Sequence, residues 1–261
     1  MKIDVKDLNG DTDTTVEAPS VFDTTIRPDL IKKAHVAEMA NDRQDYGAKP
    51  EAGNRHSTYL SKKRRDYRSS YGIGQSRTPR KALSSSGRQF YWVGAEAPHT
   101  VGGRRAHPPK ADEDRGKKVN QQEKQKARRS AISAVFTEHT RNKHIVPDEY
   151  PFILTDDFHD LEKTKEAYQT LVELGFEDEL ERTKNPNQRS GNGTKRGRKK
   201  QTKVGPLIVL PENATAHRAL RNIPGITTKT PSELTFHDLT PGSHPGRLTL
   251  FTETTIQGLP Q

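Results

Sequence analysis

The 261-residue chain contains no cysteine, which excludes disulfides, thiolate metal sites and cysteine nucleophiles together. It has one tryptophan, and hydrophobic residues make up only 29% of it, so only part of the chain is expected to pack around a core. No apolar run approaches the roughly 20 residues of a membrane span, and the polar start MKIDVKDLNG lacks the apolar region of a secretory signal. The expectation is a soluble, intracellular protein with no membrane partner. Its ten histidines show neither HExxH nor another paired metal spacing. No GxSxG, P-loop or paired-carboxylate pattern occurs. Nothing in the sequence supports catalysis, a metal, a cofactor or a small-molecule substrate.

What is present is positive charge, unevenly distributed. The formal net charge is +10, and the stretch from Asp45 to Lys110 alone carries 14 Lys and Arg against 4 Asp and Glu. That stretch therefore accounts for the whole excess. A second tract, residues 182–203, has 9 basic residues and no acidic one, which leaves an acidic remainder. Cations confined to loops rich in Gly and Pro point to a polyanion held by extended backbone and Arg contacts. Within the first tract stand Tyr46, Tyr59, Tyr67, Tyr71, Phe90, Tyr91 and Trp92, and rings interleaved with Arg suit stacking on unpaired bases.

Taken in order, residues 1–22 read as a β-hairpin, with Ile3 and Val5 alternating with polar residues and Asn9-Gly10 as the turn. Pro28 opens a helix to about Asp42 whose stripe is Leu30, Ile31, Ala34, Ala37 and Met39. In the basic loop, Tyr71-Gly72-Ile73-Gly74-Gln75-Ser76-Arg77 is a flexible turn suited to a tip between two extended arms. Asn120 and Glu123 make a capping box for a helix to about His139. Phe152-Ile153-Leu154 is a short buried strand followed by a helix that stops at Gly175. The continuous apolar run Leu207–Leu210 belongs to a sheet covered on both faces. Asn213 caps a short helix, and strands at 226–230 and 247–251 follow. Asp156 and Asp157 follow a strand, where α/β folds often bind metal or phosphate, but Asp is also expected there for capping.

The second tract sets Gly191, Gly193 and Gly197 among Arg189, Lys195, Arg196, Arg198, Lys199 and Lys200. Glycine lets the backbone approach a phosphate, and Arg supplies bidentate donors.

Several segments in collinear order carry a specific resemblance: IRPDLIKKAHVAEMANDRQDYG, VGGRRAHPPK, VNQQEKQKARRSAISA, DLEKTKEAYQTLVELGF, RSGNGTKRGRKK before GPLIVL, NIPG and PGSHPGRLTLFTE. Together they resemble the large-subunit ribosomal protein L4 family (universal uL4) in its archaeal and eukaryotic form, over nearly the whole chain. The sequence departs from that pattern at Ile73, where an Arg often stands between the glycines, and at Gln121-Gln122, where lysines are usual. The resemblance implies a structural constituent of the large ribosomal subunit, not an enzyme, located on cytoplasmic ribosomes. Its partners would be large-subunit rRNA, neighbouring large-subunit proteins and the nascent peptide. Carried onto this chain, Gly72, Gly74, Ser76, Arg77, Pro79 and Arg80 match the loop near the exit tunnel, with the tip at Tyr71, Gly72, Ile73, Gly74, Gln75 and Ser76. Gly102, Gly103, Arg104, Arg105, Ala106, His107, Pro108 and Pro109 match the returning arm. The expected RNA contacts are Lys62, Lys63, Arg64, Arg65, Arg68, Arg77, Arg80, Lys81, Arg88, Arg104, Arg105 and His107, with Arg189, Lys195, Arg196, Arg198, Lys199 and Lys200 from the second tract.

The expected fold is an α/β globular domain with a mainly parallel central sheet and flanking helices, interrupted by a long extended basic loop. Residues 1–44 form its first part, 45–118 the rRNA-binding loop, and 119–261 its second part, with the basic loop 182–203. Two alternatives stand beside this reading. One is an α/β nucleic-acid-processing enzyme holding a metal through Asp156 or Asp157, and the other is a regulator that binds messenger RNA.

Overall fold

Ile3 and Val5 point inward from strand β1 (Lys2–Lys6), which pairs antiparallel with β2 (Thr12–Glu17), Ile3 opposite Val16. The expected hairpin forms because Asp7 accepts the backbone N–H groups of Asn9 and Asp11, each at 2.9 Å, and Gly10 takes φ +91°. The computed structural model describes residues 2–67 and 69–259. The chain divides into two compact units, residues 1–42 with 116–261, and residues 43–115.

In the larger unit, helix α1 (Pro28–Asn41) starts with Pro28 in its first turn and buries Ile31, Ala34 and Ala37. His35 is buried on this face, and Met39 is 47% exposed. Met39 lies about 80° around the helix from Ile31 at 3.6 residues per turn, at the margin of the stripe. The smaller unit holds β3 (Arg80–Ser86) and β4 (Gln89–Gly94). Helix α2 (Gln121–Ser133) lacks the expected capping box: Asn120 makes no side-chain cap bond, and Glu123 instead accepts from Lys33 of α1 at 2.6 Å. It also ends early. Ser133 turns its hydroxyl to the carbonyls of Phe22 and Thr24 at 2.9 and 2.7 Å. A 3-10 turn at Ala134–Phe136 and the short helix α3 (Glu138–Arg141) then follow.

Strand β5 (Phe152–Leu154) is fully buried. Helix α4 (Thr164–Glu173) stops before Gly175, whose φ of +84° terminates it, and α5 (Glu177–Lys184) follows at once. The second basic tract folds as β6 (Asn187–Gln188), a helical turn α6 (Asn192–Lys195) and β7 (Lys200–Gln201). Then come β8 (Leu207–Val209), α7 (Ala216–Leu220), β9 (Thr227–Lys229), α8 (Phe236–Leu239), β10 (Thr249–Phe251) and α9 (Glu253–Gln257). Asn213 does not cap α7; Thr215 occupies that position. True capping boxes occur instead at Thr235 with Asp238 and at Thr252 with Thr255.

A mainly parallel central sheet does not form. The strands divide into a three-stranded sheet ordered β2-β1-β5, in which β1 runs antiparallel to β2 and parallel to β5, and a parallel sheet ordered β10-β8-β9. A single parallel bridge, Leu154 to Thr252, lies between residues of the two. The hairpin return of β2 adds an antiparallel edge beside β1, and between β5 and the residue after β10 the pairing is reduced to that isolated bridge, so no continuous sheet forms. The remaining two sheets are two-stranded ribbons, β3-β4 and β6-β7.

The class is nonetheless mixed α/β, because the strands separate two cores. Side chains alternate along a strand, so Ile153, Leu207, Val209 and Phe251 join Ile3, Val5 and Ile31 in one cluster. Their neighbours Phe152, Leu154, Ile208, Leu250 and Leu210 join Leu171 and Leu220 in the other. The apolar run at 207–210 is thus covered on both faces, as its composition predicts.

Two buried charges tie this unit together. Arg247 donates to the carbonyls of Gly205 and Asp238 at 3.0 and 2.8 Å and to the Thr227 hydroxyl at 2.8 Å. Burial pulls its guanidinium down to about 10, opposed by the Asp238 charge, so it remains cationic near neutrality. Glu179 is wholly enclosed, with Arg182 donating to both its oxygens at 2.7 Å, His144 Nδ1 at 2.6 Å and the Ile145 N–H at 3.1 Å. Burial pushes the Glu179 carboxyl up, but the hydrogen bonds from Arg182 and His144 outweigh it and hold the group below the ordinary carboxylate range.

Candidate nucleic-acid interface

The unit of residues 43–115 is organised by short hydrogen-bonded closures that display its cations. At Lys62–Arg65, four consecutive basic residues form a turn in which Arg65 adopts φ +59°. Ser69 Oγ donates to the Lys63 carbonyl at 2.7 Å, and the Ser70 N–H donates to that of Ser61 at 3.0 Å. Asp66 is held inward by Ser61 Oγ at 2.5 Å and the Tyr67 N–H at 2.9 Å. The left-handed residue costs about 1 kcal/mol or more, and it splays Lys62, Lys63, Arg64 and Arg65 into solvent, where all four are exposed.

The segment Tyr71–Ser76 is a series of exposed bends with Gly72 at φ +78° and Gly74 at +66°. A side chain other than glycine would be strained at both positions. The Tyr71 ring is covered by the chain's own cations: the guanidinium carbons of Arg64 and Arg77 lie 5.6 and 5.3 Å from its centroid. Arg80 closes the next turn, donating to the carbonyls of Ser76 and Thr78 at 2.7 and 3.2 Å. It is half-buried, as is Lys81, whereas Arg77, Arg88, Arg104, Arg105 and His107 are exposed. Arg68 lies outside the described residues.

The returning arm depends on close backbone approach. A Cβ on Gly103 would sit 2.0 Å from the Ala97 carbonyl oxygen. The bare glycine lets Thr100, Gly103 and Arg104 donate in turn to Ala97, Thr100 and Glu96 at 3.1 Å each. A Cβ on Gly53 would lie 2.5 Å from Arg104 Cα, and one on Gly47 2.4 Å from the Ala111 nitrogen. Residues 47–54 and 104–112 thereby line a groove of about 730 Å³ that includes Lys49, Arg104, Arg105 and Lys110. At the mouth of the unit, the guanidinium carbons of Arg43 and Arg115 lie 5.9 and 4.9 Å from the Tyr46 centroid.

Sequence reasoning did not find the ribbon β3-β4. Its turn is Ser86-Gly87-Arg88-Gln89, with Gly87 at φ +57°. The signal was present in Ser-Gly flanked by the aromatic run Phe90-Tyr91-Trp92, which has high strand propensity. In the second tract, the β6-β7 ribbon brings together exposed Arg189, Lys195, Arg196, Arg198, Lys199 and Lys200. The Arg189 N–H donates to the Lys199 carbonyl at 2.8 Å, and that of Arg198 to Gly193 at 2.9 Å. Gly191 and Gly197 take φ +68° and +80°.

Of the two aspartates weighed as metal ligands, Asp156 has structural work. Asp156 accepts the Thr254 N–H at 3.1 Å and its hydroxyl at 2.5 Å, capping α9. Among the described residues no three His, Asp or Glu side chains form a group able to hold a metal ion.

The model of the ribosomal protein L4/L1 family matches residues 16–261. The chain belongs to this family. Large ribosomal subunit protein uL4 of Nanoarchaeum equitans is 39% identical over 262 residues, 99% of this chain and 97% of that protein. The proteins of the same name from Halobacterium salinarum and Haloarcula marismortui are 36% and 37% identical, covering 100% and 98% of both chains. The L4/L1 relationship thus spans both units. It extends well beyond the segments, such as GGRRAHPP, in which the sequence most resembles the family.

Proposed function

We propose that this chain is a structural component of the large ribosomal subunit that binds large-subunit rRNA, works on cytoplasmic ribosomes and catalyses no reaction. The L4/L1 family membership supports this reading directly, and the named large-subunit relatives match it end to end. The observation that carries the chemistry is the exposure of consecutive cations at Lys62–Arg65 and Arg104-Arg105 on a unit with few competing carboxylates. Such groups neutralise phosphates and release counterions. In this reading residues 45–118 form the rRNA-binding loop between two parts of a globular body, 1–44 and 119–261. The second ribbon at 182–203 grips a separate rRNA segment. The exposed segment Tyr71–Ser76 borders the nascent peptide at the wall of the exit tunnel, and other large-subunit proteins meet the acidic faces of the body. Neither alternative gains support: Asp156, one of the two aspartates on which the enzyme reading rests, is committed to capping α9, and the relatives are named as large-subunit proteins rather than regulators.

The test compares the salt dependence of rRNA binding by the intact chain with that of a version in which Lys49–Lys110 are replaced by a short Gly-Ser linker. The linker is feasible because the flanking backbone already meets: the Ala48 N–H donates to the Pro109 carbonyl at 2.9 Å. If half of the 14 basic residues in Lys49–Lys110 meet phosphate, the intact slope is roughly −5 to −6 and falls sharply in the replacement. Equal slopes would remove the loop from the interface.

A further inference from the structure

Strand β4 pairs its aromatic residues with small ones. Trp92 stands opposite Ala82, Tyr91 opposite Ser84, and Phe90 opposite Ser85. Because side chains alternate, Phe90 and Trp92 share one face and Tyr91 and Val93 the other. Phe90, Tyr91 and Trp92 are 50%, 57% and 40% exposed. A two-stranded ribbon is marginal in water without a partner, and a contiguous exposed apolar surface marks an interaction face. The ribbon's charge identifies the occupant. From Arg80 to Gly94 the ribbon carries Arg80, Lys81 and Arg88 and no acidic residue, so no carboxylate of the ribbon itself repels an anion. Nucleobases match that surface, with apolar faces joined by anionic phosphates.

The spacing narrows the class further. The ring centroids of Phe90 and Trp92 are 6.2 Å apart, well beyond the rise of about 3.4 Å per residue within one strand of a duplex. Adjacent bases can occupy both rings only when their strand is extended and unpaired. We propose that the Phe90–Trp92 face is a platform for two unpaired RNA nucleotides, with exposed Arg88 at the turn end of the ribbon for a phosphate. This rests on the rRNA-binding reading and adds to it a preference for single-stranded over duplex RNA on this ribbon.

Trp92 is the only tryptophan in the chain, so its fluorescence reports this surface alone. The full chain is titrated with an unstructured RNA of about ten nucleotides, long enough to span a site of a few bases, and with the same sequence annealed as a duplex. Overall binding is followed separately by anisotropy of a label on the RNA. The expected result is quenching of Trp92 by the single strand and none by the duplex. Phe90→Ala and Phe90→Leu should each weaken the quenching affinity about five- to a hundredfold, the range of one lost base stack. Tyr91→Ala, on the other face, should change it less than about twofold. Equal quenching by the duplex, a Phe90→Leu variant as good as the parent, or RNA binding that leaves Trp92 emission unchanged would each overturn the platform while leaving RNA binding intact. Absence of any anisotropy change with the intact chain would overturn the underlying RNA-binding reading instead.

Discussion

The Arg77 guanidinium lies 5.3 Å from the centre of the Tyr71 ring and donates to the Tyr71 hydroxyl at 3.3 Å. Together with Arg64, 5.6 Å from the same ring, this makes Tyr71 a support for two like charges, which repel each other unless an anion lies nearby. The ring therefore holds two guanidinium groups in place, and in the proposed rRNA-binding reading these are phosphate donors.

Substitutions at Tyr71 separate these roles. Tyr71→Phe keeps the ring under both guanidinium groups and should retain most rRNA affinity. Tyr71→Ala frees Arg64 and Arg77 and should weaken binding about two- to fivefold, the worth of an exposed cation–π contact. Filter binding at fixed salt distinguishes the two. A Phe variant as weak as the Ala variant would mean that the hydroxyl, rather than the ring, matters.

The enclosed Glu179 makes the larger unit sensitive to acid. Its carboxyl titrates lower in the folded chain than its ordinary value of 4.5, so the folded state binds the proton less readily than the unfolded state. Its contribution is complete above that value and is lost as pH falls below 4.5 through the lower folded value. Glu179→Gln removes the charge to which Arg182 and His144 are bonded, and because Arg182 is partly exposed and can be solvated, the change should cost about 1–3 kcal/mol at neutral pH. It should also flatten the loss of stability below pH 4.5. Urea unfolding at a series of pH values measures both, and a variant with an unchanged acid limb would assign that limb to other carboxylates.

Gly103 is set by contact rather than by dihedral angle. Gly103→Ala must displace the Ala97 carbonyl and break the Arg104-to-Glu96 hydrogen bond. Amide exchange at Arg104 should accelerate about tenfold or more as that local closure opens. Thermal unfolding of the unit containing α1 and α2 should stay unchanged. At Gly102 nothing lies within 4 Å, but φ is +72°; Gly102→Ala should cost only about 1 kcal/mol of local stability. Equal exchange at Arg104 in both variants would mean that the close approach is not what positions the returning arm.

These cases show where sequence was readable. The run Leu207–Leu210 announces a strand covered on both faces because burial on both sides leaves no place for a polar residue. Gly10 and Gly175 announce their turns because few other residues tolerate a positive φ. Charge alone pointed to a polyanion partner. What escaped was chosen by tertiary contact: Glu123 meets Lys33 instead of capping α2, Ser133 turns to the carbonyls of Phe22 and Thr24, and Asp156 caps a helix nearly a hundred residues later. The mixed sheet escaped for the same reason. Strand periodicity fixes which face is buried but not which neighbour a strand adopts, and the pairing of β1 with β5 is a long-range choice. The ribbon β3-β4 was hidden by composition, since serine and arginine in a basic tract read as loop until their register with Phe90 and Trp92 is known.

The pairing of Val5 with Ile153 has a consequence for the order of events during synthesis. The first strand cannot acquire its parallel neighbour until the chain has been made past Leu154. At about 5–20 residues per second that takes roughly ten seconds or more. The whole cationic segment emerges within that interval, ahead of the residues that complete the body. A growing chain therefore offers its cationic arm to the surroundings before it owns a finished core. Capture of that arm by a polyanion can precede closure of the fold.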